Sequence, residues 1–183
     1  MKFVVLNGSP KGNELSATMQ FLYYLQKVVP GHDYEIFTIS KDIQRIEKDD
    51  AYFNQILKSI RGCDAVLWSM PVFILLVPSQ QKRFIELVFE KKKQRAFAGK
   101  YSTAFFTSAM VFDHTAHNYI HGISEDLGMK FMKGFSALTQ ALEKRECQES
   151  VKNFFLHFIS AVENKEQIPK AYFPISWKPV PYK

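Results

Sequence analysis

The chain has 183 residues, 46% of them hydrophobic, and carries a formal net charge of +6 with a pI near 9.2. Such a length and apolar content suit one domain with a sizeable core and exclude a low-complexity or disordered chain. No apolar run approaches the ~20 residues of a bilayer span, the N-terminus shows no secretory pattern, and the two cysteines, Cys63 and Cys147, suit a reducing compartment and are too few for an iron–sulfur cluster; a cytoplasmic location and no membrane partner are expected.

Lys2–Leu6 is a short apolar run and reads as a buried strand. Ser16–Val29 places Met19, Leu22, Tyr23 and Leu25 at helical spacing, and Pro30-Gly31 breaks it. Tyr34–Ile39, rich in β-branched and aromatic residues, reads as the second strand. Asp49 or Asp50 caps a helix with Phe53, Ile56, Leu57 and Ile60 on its apolar face, ended by Gly62. Ala65–Met70 is apolar throughout, as a strand covered on both faces should be, and Pro71 stops it.

The next helix starts near Pro78-Ser79 and runs through Phe84, Ile85, Leu87 and Val88 to the dense patch Lys91-Lys92-Lys93-Gln94-Arg95. Those cations read as a solvated helix end. No helix-turn-helix, zinc finger or aromatic RNA-binding signature accompanies them, so no nucleic-acid partner is expected. Tyr101–Thr107 is the fourth strand, Asp113 or Thr115 caps a helix ending near Gly128, Lys130–Phe135 is a fifth strand, and Glu146–Val162 is the last helix. The tail from Ile168 to Lys183 holds four prolines and four aromatics and is expected to pack across the surface or on a partner.

Strands alternating with helices imply an α/β domain with a parallel sheet and right-handed crossovers. Five strands fit a three-layer, doubly wound unit over residues 1–183, with a core over 1–164 and a tail over 165–183. Ligands of such sheets bind beyond the carboxyl ends of the strands, where the strand order reverses. The loops after the first, third and fourth strands are therefore the places to search.

The first loop reads Asn7-Gly8-Ser9-Pro10-Lys11-Gly12-Asn13, with Ser16 and Thr18 at the mouth of the helix. Gly8 and Gly12 permit tight turns, the hydroxyls donate hydrogen bonds, and a helix N-terminus attracts anions. Neither G-x-G-x-x-G nor G-x-x-x-x-G-K-[ST] is present, which argues against a dinucleotide Rossmann site and a Walker-type NTPase. On loop chemistry alone, a capped helix behind an Asn7-Gly8 turn accounts for the stretch as well as a phosphate cradle does.

The motif NGSPKG followed by Ser-x-Thr resembles the phosphate loop of flavodoxin-like NAD(P)H-dependent FMN reductases. The resemblance implies a flavodoxin-like fold with sheet order 2-1-3-4-5. It makes Ser9, Ser16 and Thr18 ligands of the FMN phosphate, with Lys11 and Asn13 as helpers and Ala17 among the cofactor-binding residues. The spacer Asn13-Glu14-Leu15 departs from the commonest forms of that loop. The second loop, Met70, Pro71, Val72, Phe73 and Ile74, is similar to the family's isoalloxazine-lining segment, with Phe73 in place of a tyrosine. The apolar Ile74-Leu75-Leu76 replaces smaller and more polar residues there. Gln81, Lys82, Phe84, Ile85 and Glu86 resemble the helix that follows. In the third loop the resemblance places Thr107, Ser108 and Ala109 at the ring or ribityl chain, with Met110 and Phe112 covering the ring or meeting a second subunit.

His114, His117 and His121 share one helical face. Without H-E-x-x-H this spacing is a weak metal signal, and no metal is expected. The preferred reading puts that face at the cofactor mouth, with His114 as a candidate proton donor. Together these features predict an FMN-dependent NAD(P)H oxidoreductase that passes electrons to a quinone, a free flavin, a nitro or azo compound, or a redox protein, and that forms a homodimer. A flavodoxin-type electron carrier and a non-catalytic binding module are the alternatives.

Overall fold

The computed structural model describes residues 1–110 and 112–172. The elements in chain order are β1 (Lys2–Asn7), α1 (Ala17–Val28), β2 (Asp33–Phe37), α2 (Ile39–Lys48), α3 (Asp50–Gly62), β3 (Ala65–Pro71), α4 (Ser79–Glu90), β4 (Tyr101–Ser108), α5 (His114–Asp126), β5 (Lys130–Phe131), β6 (Phe135–Leu138) and α6 (Arg145–Glu163). The sheet runs β2-β1-β3-β4-β5, with β6 also paired to β4, and all five pairings are parallel. The expected 2-1-3-4-5 order is therefore present, with a sixth strand added.

Strand alternation divides the core into two layers. Val4, Leu6, Val66, Trp68 and Met70 point to the side covered by α2, α3, α4 and α5, while Phe3, Val5, Ala65 and Leu67 point to the side covered by α1 and α6. Most of these side chains are fully enclosed, and each large one stabilises the fold by roughly 1.5–3 kcal/mol. The sheet's carboxyl edge is left to the loops.

Two expectations are corrected. The second strand ends at Phe37 rather than Ile39, because Thr38 turns the chain into α2, a helix absent from the sequence reading. Thr38 Oγ1 donates to Asp42 Oδ2 at 2.6 Å, and Ile39 and Ile46 enter the core from one face of the helix, about two turns apart. The fifth strand, expected over Lys130–Phe135, is split. Phe131 pairs with Ser102 and Phe135 with Phe105, so three residues face two, a bulge. Gly134 lies there because a Cβ would stand 2.7 Å from the Ala104 carbonyl oxygen.

Two helix ends match their sequence signals, while Asp113 stands at the N-cap of α5 without a side-chain cap bond. Asp49 caps α3 by accepting from the Ala51 and Tyr52 N–H groups, and Gly128 takes φ +76° after α5. Of the tail, Tyr101 Oη donates to the Glu166 carbonyl, and Glu125 accepts from the N–H groups of Ala171 and Tyr172. The expectation for the rest of the tail, including Phe173 and Trp177, falls on residues outside those described.

Candidate functional site

The first loop is built by side chains that bind its own backbone. Gly8 N donates to Ser69 O at 2.8 Å, so the chain leaves β1 still pinned to β3. Asn7, fully buried, accepts from Ser9 N and donates to Asn13 Oδ1, each at 2.8 Å. Lys11 N donates to Ser9 Oγ, and Gly12 N to Ser9 O. Gly12 has φ +75°, with the Lys41 side chain packed over the place its Cβ would take. Ser40, on α2, donates from Oγ to the Gly8 carbonyl.

Helix α1 opens with Ser16 as N-cap, its Oγ accepting from Met19 N at 3.3 Å. Among the described residues no acceptor pairs with the backbone N–H groups of residues 13–18. A row of open donors at a positive helix end is suited to an anion. Thr18 Oγ1 lies 2.5 Å from Thr107 Oγ1, joining the first loop to the end of β4 through two buried hydroxyls.

These groups line a cavity of about 200 Å³. Ser9, Pro10, Lys11, Ser16, Ala17 and Thr18 form its polar wall. Pro71, Val72, Phe73, Thr107, Ser108, Ala109 and Thr139 form the other. The cavity opens into an apolar basin of about 630 Å³, where Val72, Phe73, Ser108 and Ala109 recur and Ile74, Leu75, Met110 and Phe112 are added. A third hollow of about 460 Å³ continues past Ala109 and Thr139 to Gln140 and Lys144. The described lining of these hollows has lysines as its only ionisable side chains, Lys11 and Lys144.

The second and third loops are tied together. Val72 N donates to Thr107 O at 2.8 Å and Leu75 N to Phe112 O at 3.1 Å. Phe73 and Leu76 pair across a two-residue turn whose centre, Ile74 and Leu75, sits at φ 43° and 70°. Left-handed backbone at a β-branched residue is strained. The turn holds Ile74 88% exposed and Phe73 55% exposed at the rim.

Among the residues predicted from sequence, Ser9, Lys11, Ser16, Ala17, Thr18, Pro71, Val72, Phe73, Thr107, Ser108 and Ala109 meet around the inner cavity, and Ile74 and Phe112 line the basin. Met70 is buried in the core beneath Gly8, and Asn13 braces Asn7. His114 starts α5 in an exposed position outside the lining of these hollows. The other two histidines have structural partners. His117 Nε2 lies 2.5 Å from Ser136 Oγ with its ring edge-on to Phe106, and His121 Nε2 lies 2.9 Å from Glu125 Oε1 and stacks on Phe131. Burial holds the His117 imidazole below its ordinary value; Asp113 opposes that shift and Lys133 adds to it.

Sequence reasoning missed Thr139, which accompanies Ser108 by donating from N and Oγ1 to its carbonyl. Its signal was the end of β6: a strand carried to Leu138 puts Thr139 in a carboxyl-end loop. It also missed Ser40, since α2 was not foreseen.

A polar loop at the first helix, flanked by an apolar slot at the carboxyl edge of a 2-1-3-4-5 sheet, defines a doubly wound α/β protein with its cavity where ligands of such sheets bind. The chain belongs to the flavodoxin-like fold family, whose model matches residues 1–154. Among curated proteins none matches the sequence. Similar solved structures include FerB, a flavoenzyme NAD(P)H:(acceptor) oxidoreductase from Paracoccus denitrificans, at 18% identity and TM-score 0.72 over 89% of this chain and 97% of that one. An NADH:FMN oxidoreductase in its apo form is similar at 16% identity and TM-score 0.71, over 87% of this chain and 89% of that one. An FMN-dependent NADH-azoreductase from Bacillus anthracis in complex with FMN is similar at 12% identity and TM-score 0.58, over 90% of this chain and 98% of that one. At these identities the likeness concerns the fold.

Proposed function

We propose that the protein is an FMN-dependent NAD(P)H oxidoreductase acting on a small acceptor such as a quinone, a free flavin, or a nitro or azo compound, or on a redox protein. The observation that carries this reading is the convergence of three separate loops on one cavity. One wall is a row of open N–H donors with Ser9, Ser16 and Thr18. The other is apolar and backbone-rich, from Pro71 to Phe73 and from Thr107 to Ala109. That division fits a ligand with a phosphate at one end and a flat heteroaromatic ring at the other.

The open N–H groups of residues 13–18 and the Ser9, Ser16 and Thr18 hydroxyls would hold the phosphate, with Lys11 balancing its charge. Val72, Phe73, Ser108 and Ala109 belong to both hollows and would orient the ring and exclude water from its edge. FMN, when bound, supplies the hydride and electron transfer between NAD(P)H and the acceptor. The chain needs no triad for this; its residues bind, orient and shield. The exposed rim of Phe73, Ile74, Met110 and Phe112 supports a homodimer that covers the basin.

Direct NAD(P)H oxidation separates this reading from an electron carrier. Mixed anaerobically with NADH or NADPH, the FMN-loaded protein is expected to lose its visible flavin bands in a single fast phase. Bands that persist with both nucleotides would leave the carrier reading in place.

A further inference from the structure

The molecule contains one polar side chain next to the anion cradle that nothing above employs. Gln81, on the first turns of α4, is fully buried, and among the described residues neither its Oε1 nor its Nε2 has a hydrogen-bond partner. Burying an unpaired amide is unfavourable. A methionine of the same length would fill the space without that cost.

Gln81 faces the first loop. A Cβ at Gly8 would stand 3.0 Å from Gln81 Oε1 and 2.8 Å from the Met70 Cβ, so Gly8 is pressed between β3 and α4. On its other sides Gly8 is held by Ser69 O, which accepts from its N–H, and by Ser40 Oγ, which donates to its carbonyl. Gly8 leads directly into Ser9, the first cavity-lining residue. A carboxamide offers two donors and one acceptor, and a rotation about its last bond exchanges which of them faces the loop. The Gly8 carbonyl keeps a second lone pair.

We propose that Gln81 is a positioning residue: its carboxamide pairs with the Gly8–Ser9 backbone when the loop closes on an anion, and holds Ser9 and the donors beyond it in the binding geometry. Gly8 joins β1 to the loop that carries Ser9 and the open donors of residues 13–18. A buried amide left unpaired in the open loop and paired in the closed one shifts the balance toward closure. The proposal rests on the reading of the cavity as a phosphate site.

The test is Gln81→Met, compared with the wild type in thermal unfolding and in titrations with FMN and with inorganic phosphate, the latter followed by the rise in Tm. The ligand-free variant is expected to unfold at the wild-type temperature or above, because an unpaired amide has been replaced by an apolar side chain. Its affinity for FMN is expected to fall about tenfold, the equivalent of one hydrogen bond, with a matching loss of the phosphate effect. Unchanged FMN affinity in the variant would overturn the role of Gln81 and leave the cofactor reading intact. A wild type that responds to phosphate but not FMN, with the response lost in the variant, would keep Gln81 in its role and remove FMN. A wild type that binds neither removes both.

Discussion

Ile74 shows how one residue couples strain to function. A two-residue turn with both centres left-handed normally takes Asn-Gly, and here it carries Ile74 and Leu75. The strain is of order 1–3 kcal/mol at such positions, and what it provides is an apolar wall for the basin. Replacing Ile74→Asn together with Leu75→Gly should therefore stabilise the fold by about 1 kcal/mol or more, seen as a higher denaturation midpoint, while apolar acceptors bind less well; an unchanged midpoint would mean the turn is relaxed. His117 gives a pH signature. Its folded value lies below the ordinary 6.5, so its neutral, half-buried state contributes stability that is present above that pH and lost as pH falls through the folded value. The wild type should lose Tm between pH 7.5 and about 5.5, and His117→Asn should lose less over the same range.

The strands and most helices were readable because their signals are local. Ala65–Met70 has no polar interruption but Ser69, and Asp49 stands where a cap belongs. Helix α2 was not foreseen because seven of its ten residues are polar or charged and its core contact rests on Ile39, Ile43 and Ile46 alone. The break in the last strand depends on Ala104, thirty residues away, whose carbonyl closes on Gly134. No local pattern reports such an approach. Gly134→Ala should cost about 1–3 kcal/mol, the range for inserting a methyl group into packed structure. Loss of stability on that scale in denaturant titration is the expected outcome, and a neutral substitution would show that the bulge adapts. The site residues on the first loop were legible through glycine and hydroxyl spacing. Thr139 and Ser40 were not, since each depends on an element whose bounds tertiary contacts decide.

At the scale of the whole molecule, the sheet delivers three loops to one edge, and the chain returns after α6 to fasten itself to α5. Glu125 receives the Ala171 and Tyr172 N–H groups at 2.7 and 2.9 Å and His121 Nε2 at 2.9 Å. Burial pushes its carboxyl up, but these partners outweigh burial and leave it below its ordinary value. The clasp therefore contributes stability above the usual carboxylate range and loses it only as pH falls through the lowered value. Glu125→Gln should free the segment around Tyr172, read as faster proteolytic trimming of the C-terminal end at neutral pH; equal trimming rates would show that other contacts hold it.

Whether the loop after β1 cradles the phosphate of a bound flavin is decided by titrating FMN into the purified protein and into the Ser16→Ala/Thr18→Ala variant, with Tm recorded for both. Saturable uptake of FMN by the wild type is expected, with at least about tenfold weaker uptake by the variant, from the loss of two hydroxyl donors to a charged group. The variant should remain folded, because losing the Ser16 cap costs about 1 kcal/mol and leaving the buried Thr107 hydroxyl without Thr18 about 1–3 kcal/mol more. No uptake by the wild type, or equal affinity in a folded variant, would contradict it.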